Sequence, residues 1–172
     1  MKNRTNPAIR WLRHLFTGVL AVRRAFPKAV IDQIADAVRA CEGRHPGEIR
    51  FVIEAALEPR ELLAGLTPRE RAIDVFSRLR VWDTEHNNGV LIYLLYADHA
   101  VEIVADRGVG NGRVDPAEWQ RACDRMREHF RAGRYAEGAI AGIDTVADVL
   151  ARHASGQPDV GNEMPDAPVI LR

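Results

Sequence analysis

Two β-rich runs separated by a short polar break constrain this chain most, because together they admit little besides a buried antiparallel hairpin. Residues 90–96 read Val-Leu-Ile-Tyr-Leu-Leu-Tyr, residues 100–106 read Ala-Val-Glu-Ile-Val-Ala-Asp, and Asp98 with His99 between them fits a two-residue turn. A hairpin returns the chain to the point where it entered. Asp106 and Arg107, at the end of the second run, therefore lie near the 83–88 segment that leads into the first. Asp83, Glu85 and Asp106 become candidate oxygen ligands for a hard divalent cation, Ca²⁺ or Mg²⁺, helped by the side-chain carbonyls of Asn87 and Asn88. The structural alternative gives Asp83 and Glu85 cap and turn roles, and Asp106 a salt bridge to Arg107 or Arg113.

The flanking segments supply the rest of a layered fold. Residues 48–57 alternate, with Ile49, Phe51 and Ile53 on one face and Glu48, Arg50, Val52 and Glu54 on the other, which predicts a strand. Glu54 is expected to pair with Arg50 or with a helix arginine. Thr67-Pro68-Arg69-Glu70 is a capping box with proline at the first helical position, so a helix runs to about Leu79. Strand, helix, strand in that order implies a right-handed crossover, which turns the acidic mouth toward His45 and Glu48. Asp115-Pro116-Ala117-Glu118 opens another helix, with Trp119, Cys123, Met126 and Phe130 as its core stripe and Gly133 as its stop. Residues 135–153 predict a last helix that buries Ile140, Ile143, Val146, Val149 and Leu150. The fold class is α/β, a three-layer α/β/α sandwich on a mixed sheet. Residues 154–172 are expected to be an irregular tail, from which Val169, Ile170 and Leu171 dock.

Basic and acidic side chains balance at 24 each, which offers nothing to a nucleic acid, but their distribution is uneven. Lys2, Arg4, Arg10, Arg13, Arg23, Arg24 and Lys28 all precede the first acidic residue, Asp32. On a helical wheel Arg10, Arg13, His14, Thr17, Ala21 and Arg24 share one side, and Ile9, Leu12, Leu15, Phe16, Val19 and Val22 the other. Residues 1–27 therefore predict a basic amphipathic helix ahead of a domain spanning 28–153. Such a helix either docks on its own domain, the commoner case, or lies among lipid headgroups. The apolar stretch 15–22 is too short to cross a bilayer and no Ala-x-Ala cleavage site follows it at a suitable place. Cys41 and Cys123 are far apart and in no Cys-x-x-Cys pair, which fits a reducing compartment and argues against a structural zinc.

Other chemistries find little support. Residues 108–112, Gly-Val-Gly-Asn-Gly, lack a terminal Gly-Lys-Ser/Thr and follow an antiparallel strand, so they predict a rim loop and not a phosphate cradle. The histidines form neither His-x-x-x-His nor His-x-His, and no Gly-x-Ser-x-Gly elbow occurs.

Gly47-Glu48-Ile49-Arg50-Phe51-Val52-Ile53-Glu54, the 82–108 block, and Phe130-Arg131-Ala132-Gly133-Arg134-Tyr135 with Gly138 and Gly142 resemble the TPM domain. That family is named for a thylakoid-lumen acid phosphatase, a photosystem II repair protein and a worm acetylcholine-receptor modulator. The resemblance implies an α/β/α sandwich, with calcium binding and phosphatase activity as the attached expectations. Many TPM domains carry Gly-x-Gly-aliphatic-Glu-Gly after the second hairpin strand. Here Asp106-Arg107-Gly108-Val109-Gly110-Asn111 loses that glutamate and gains an aspartate, so any metal site is rebuilt around Asp106. The expectation is a cytoplasmic domain, peripheral to the inner face of a membrane, with Asp83, Glu85, Asn88 and Asp106 on Ca²⁺ or Mg²⁺. As a metal-dependent acid phosphatase it would act on a phosphoester, with Glu85 as base and Arg107 stabilising charge. The alternative is a non-catalytic adaptor or assembly factor that meets a membrane surface or a membrane-protein complex through the N-terminal helix.

Overall fold

The computed structural model describes residues 6–110, 112–154 and 161–172. Lys2, Arg4, Asn111 and Ser155 lie outside the described residues. Along these the chain runs α1 (Pro7–Phe16), α2 (Val19–Ala25), α3 (Lys28–Glu42), β1 (Ile49–Glu54), α4 (Pro59–Leu63), α5 (Pro68–Arg78), β2 (Val90–Leu95), β3 (Ala100–Ala105), α6 (Pro116–Arg131), α7 (Tyr135–His153) and β4 (Val169–Leu171). The strands form one mixed sheet in the order β3-β2-β1-β4. β1 lies parallel to β2 and β4, and β2 antiparallel to β3.

Alternation along the strands sorts side chains into two cores. Ile49, Phe51 and Ile53 of β1 join Val90, Ile92 and Leu94 of β2 on the face covered by α3, α6 and α7. Val52, Leu91, Tyr93 and Leu95 point the other way, onto Leu62 of α4 and Ala72, Val75 and Phe76 of α5. The expected three-layer α/β/α sandwich is thus the fold. Thr67 caps α5 as the sequence implies, accepting from the Glu70 N–H at 3.2 Å while the Glu70 carboxylate accepts from the Thr67 N–H at 2.8 Å. Gly142 of α7 lets α6 approach, since a Cβ there would run into the Met126 thioether.

Four local features differ from expectation. The single N-terminal helix is two, because Thr17 (ψ 110°) and Gly18 (ψ 175°) are both extended. The hairpin turn spans residues 96–99 and not two residues: Leu95 and Ala100 are the last pair, and His99 takes φ 50°. The short helix α4 was not predicted. The tail, expected to be irregular apart from docked Val169, Ile170 and Leu171, docks those residues as a strand, β4, at the sheet's edge against Val52–Glu54 of β1.

The most buried ion pair is the one expected of Glu54, and its partner is a helix arginine. Arg71 of α5 reaches it with Nε at 2.9 Å and Nη2 at 2.6 Å, and the Tyr93 hydroxyl donates to the same carboxylate. Glu54 is 3 % exposed and Tyr93 fully buried. Burial and the neighbouring carboxylate push the Tyr93 hydroxyl far up, so it stays a donor. On the sheet's other border, the Asp106 N–H on the Gly89 carbonyl sets the register. By antiparallel alternation the Ile103 carbonyl points away from β2, and Arg69 of α5 donates to it.

Candidate functional site at the strand starts

Because β1 and β2 are parallel with Ile49 opposite Val90, their starts share one border, and β3 ends there. The two segments expected to converge do so. The Asp106 N–H donates to the Gly89 carbonyl at 2.9 Å and the Gly108 N–H to the Asn87 carbonyl at 2.7 Å. Arg107 grips the Asn87 side-chain carbonyl with Nε at 3.0 Å and Nη2 at 2.8 Å. Asn87 itself sits at φ 53°. The mouth also faces the 45–48 segment: Asn88 Nδ2 donates to the Pro46 carbonyl at 2.7 Å, and the Val90 N–H to the Glu48 carbonyl at 2.8 Å.

The predicted ligands divide by depth. Asn88 is completely buried and Asp106 half-buried, while Asp83 and Glu85 stand exposed at the rim. Among the described residues no three His, Cys, Asp or Glu side chains are placed to hold a metal ion together. Asp106 is nevertheless distinctive. Its Oδ1 accepts from the Arg107 N–H at 2.7 Å, but its Oδ2 is buried with no hydrogen-bond partner. Backbone carbonyls crowd the two glycines that follow it: a Cβ on Gly108 would fall on the oxygens of His86 and Asn87, and one on Gly110 would lie 2.8 Å from that of Ala105. A half-buried carboxylate in a segment lined by backbone carbonyls suits a hard cation that takes oxygen ligands and water better than zinc.

Sequence reasoning did not bring the C-terminal tail to this mouth. Glu163 accepts from the Glu85 N–H at 2.9 Å, and its own N–H donates to Glu48 Oε1 at 3.1 Å. Only a docked β4 places it there, and no local signal marks it. Beside it lies a groove of about 260 Å³ lined by Glu42, His45, Glu48 and Asn162. Burial lowers the His45 imidazole, keeping it neutral, and raises Glu48. Burial, together with the charges of Asp166 and Glu48, pushes Glu42 from 4.5 up to about 7.

Glu42 therefore favours the folded state in acid. Its contribution is full below about pH 4.5 and lost as pH rises through about 7. Glu42→Gln is expected to raise stability by about 1 kcal/mol at mildly alkaline pH, because the site is only partly screened from water, and to change little at pH 5. Urea midpoints at the two pH values read this out directly.

Comparison with known proteins bears on the same region. A family model described as the TPM domain matches residues 22–149. The solution structure of BA42 from the psychrophilic bacterium Bizionia argentinensis is similar at 29 % identity and TM-score 0.71, covering 83 % of this chain and 92 % of that one. The N-terminal domain of a protein from P. gingivalis is similar at 25 % identity and TM-score 0.53, covering 72 % and 76 %. No curated protein matches the chain.

Proposed function

Since the chain belongs to the TPM domain family, we propose that its mouth is a weak Mg²⁺ or Ca²⁺ site built on Asp106, with phosphomonoester hydrolysis as the chemistry that site would serve. The observation that carries this reading is the buried, unpartnered Oδ2 of Asp106. A carboxylate oxygen withdrawn from water without a donor is costly, and a cation would offset that cost. Mg²⁺ is commonly held by one or two carboxylates with the rest of its shell water, so a trio of carboxylates is not required. Asn88 and the carbonyls of His86 and Asn87 would be the further oxygens, and Asp83 and Glu85 would add charge from the rim. A bound cation would neutralise phosphate oxygens and lower the pKa of a coordinated water. Arg107 spends two N–H groups on Asn87 and keeps others for a phosphate oxygen. Glu85, exposed at the rim, is the proposed base. Cys41 and Cys123 are buried free thiols pushed up to about 12, chiefly by burial, which suits the reducing cytoplasm in which we place the protein.

The test is a titration of chelator-stripped protein with each cation, followed by backbone amide NMR. Saturable shifts confined to residues 84–90 and 105–110 are expected at roughly millimolar cation. Asp106→Asn should weaken binding about tenfold or more while leaving the remaining spectrum in place. An unresponsive wild-type spectrum, or an Asp106→Asn variant that binds equally well, sinks the proposal. Hydrolysis of p-nitrophenyl phosphate, with and without Glu85→Gln, then tests the chemistry separately.

A further inference from the structure

α1 is inside out. An amphipathic surface helix ordinarily turns its apolar stripe to the core, yet here the polar side is the docked one. Arg10 Nε meets both Asp98 oxygens at 3.2 and 3.0 Å, and its Nη2 donates to the Leu66 carbonyl at 2.9 Å. His14, 5 % exposed, accepts from the Leu57 N–H on Nδ1 at 2.9 Å and so carries its proton on Nε2, which faces Asp98 at 3.0 Å. Burial pushes the Asp98 carboxyl up, but the hydrogen bonds from His14 and Arg10 outweigh it and hold the pKa low. The anchor residue is thus an aspartate in the hairpin turn.

The other side of α1 is left to solvent. Ile9, Leu12, Leu15 and Phe16 are all exposed, Phe16 to 79 %. On α2, Val22 is buried, and the opposite arc presents Leu20, 71 % exposed, between Arg23 and Arg24. A groove of about 640 Å³ continues this apolar surface from Leu15 and Val19 to Leu62 of α4, beside the exposed Leu63. Monomeric proteins seldom expose a contiguous apolar surface of this kind without using it.

Charge selects what covers it. No acidic residue precedes Asp32 in the chain. Arg13, at the edge of the α1 arc, and Arg23 and Arg24 are exposed, and no ion pair involves them among the described residues. Glu58, which lines the groove, is already paired with Arg60 at 2.8 Å. Large apolar side chains flanked by unneutralised arginines match the surface of an anionic bilayer, where the rings and methyls enter the headgroup boundary and the guanidinium groups meet phosphates. Among the described residues no helix is long and apolar enough to cross a membrane. We propose that α1 and α2 form an interfacial docking surface for an anionic lipid bilayer, and that the Arg10–His14–Asp98 clamp holds their apolar face outward. This surface is independent of the cation site and lies mostly outside the family match, which begins at residue 22.

The test is flotation of the full chain with vesicles of phosphatidylcholine alone and of phosphatidylcholine mixed with phosphatidylglycerol. Binding to the mixed vesicles, weakened by salt, is expected, with little binding to the neutral ones. The triple variant Leu12→Ser, Phe16→Ser, Leu20→Ser alters only exposed side chains and should lower binding at least about tenfold, as should Arg23→Glu with Arg24→Glu. Circular dichroism checks that both variants stay folded. Absence of flotation with the mixed vesicles, or flotation that survives both sets of substitutions, overturns the proposal. So does a wild-type dimer that the serine variant dissociates without any vesicle binding, which would assign the surface to a second copy of the chain.

Discussion

Arg71→Met is expected to destabilise the chain by about 3–5 kcal/mol, the largest effect of any single change considered. The guanidinium is held by Glu54 through two of its nitrogens, and by Asp74 at 2.6 Å and Glu61 at 3.3 Å through the third. Removing it strands the Glu54 carboxylate under α5 with the Tyr93 hydroxyl still donating to it, in a place water does not reach. The cost arises from the uncompensated charge and not from the net value of the pair, which desolvation keeps small. The double variant Glu54→Leu, Arg71→Met should therefore recover most of the loss. Urea unfolding of the three proteins decides it. A single-variant loss under about 1 kcal/mol, or a double variant as unstable as the single, would show that the charge is relieved in some other way.

Gly108→Ala should cost about 2–3 kcal/mol and abolish cation-dependent shifts at the mouth. The new methyl falls on two backbone carbonyl oxygens, those of His86 and Asn87, which cannot rotate aside as a side chain would. Relief requires the 86–89 segment to part from the end of β3, which breaks the Gly108 N–H bond to Asn87 and displaces Asp106. Gly18→Ala is the matched control. Nothing lies within 4 Å of its Cβ position and its φ is −116°, so it should be close to neutral. Thermal melts together with the NMR titration test both halves of the prediction, and a Gly108→Ala protein as stable as the control would refute it.

How far the residues disclosed this molecule depends on the kind of signal each one carried. Periodicity of two in residues 49–54 assigned side chains to faces correctly, because a strand has only two. The Thr67 and Asp115 caps placed helix starts for the same reason: their side chains answer to backbone groups a few residues away. Glu54 was legible as a paired carboxylate, though not which arginine would reach it. Wheel patterns fared differently. They show that α1 has an apolar and a polar side but not which one is attached, and Asp98, 84 residues beyond His14, made the choice. The turn failed because the tally of residues between two runs cannot say where pairing stops, and Tyr96 leaves the sheet to meet Tyr135, their hydroxyls 3.3 Å apart. At the mouth, strand direction brought Asp106 to the 87–89 segment. Rim carboxylates on exposed turns have no such constraint, so Asp83 and Glu85 could not be placed inward. Glu163 and Asp166 belong to a tail whose docking rests on three residues of parallel pairing, and nothing local announces their destination.

The Arg69 guanidinium on the Ile103 carbonyl has a meaning beyond the domain's own stability. β3 is one free border of the sheet and the longer one, since the opposite border is the three-residue β4. An open border with outward carbonyls is a template on which another chain can add a strand, and a sheet this apolar would aggregate by doing so. A cation seated on the Ile103 carbonyl, with its side chain half exposed and Glu102 at 3.8 Å, must be displaced and desolvated before any foreign strand can pair there. Arg69 is in this sense a lock against polymerisation, and it keeps a hairpin built for burial from recruiting its own neighbours.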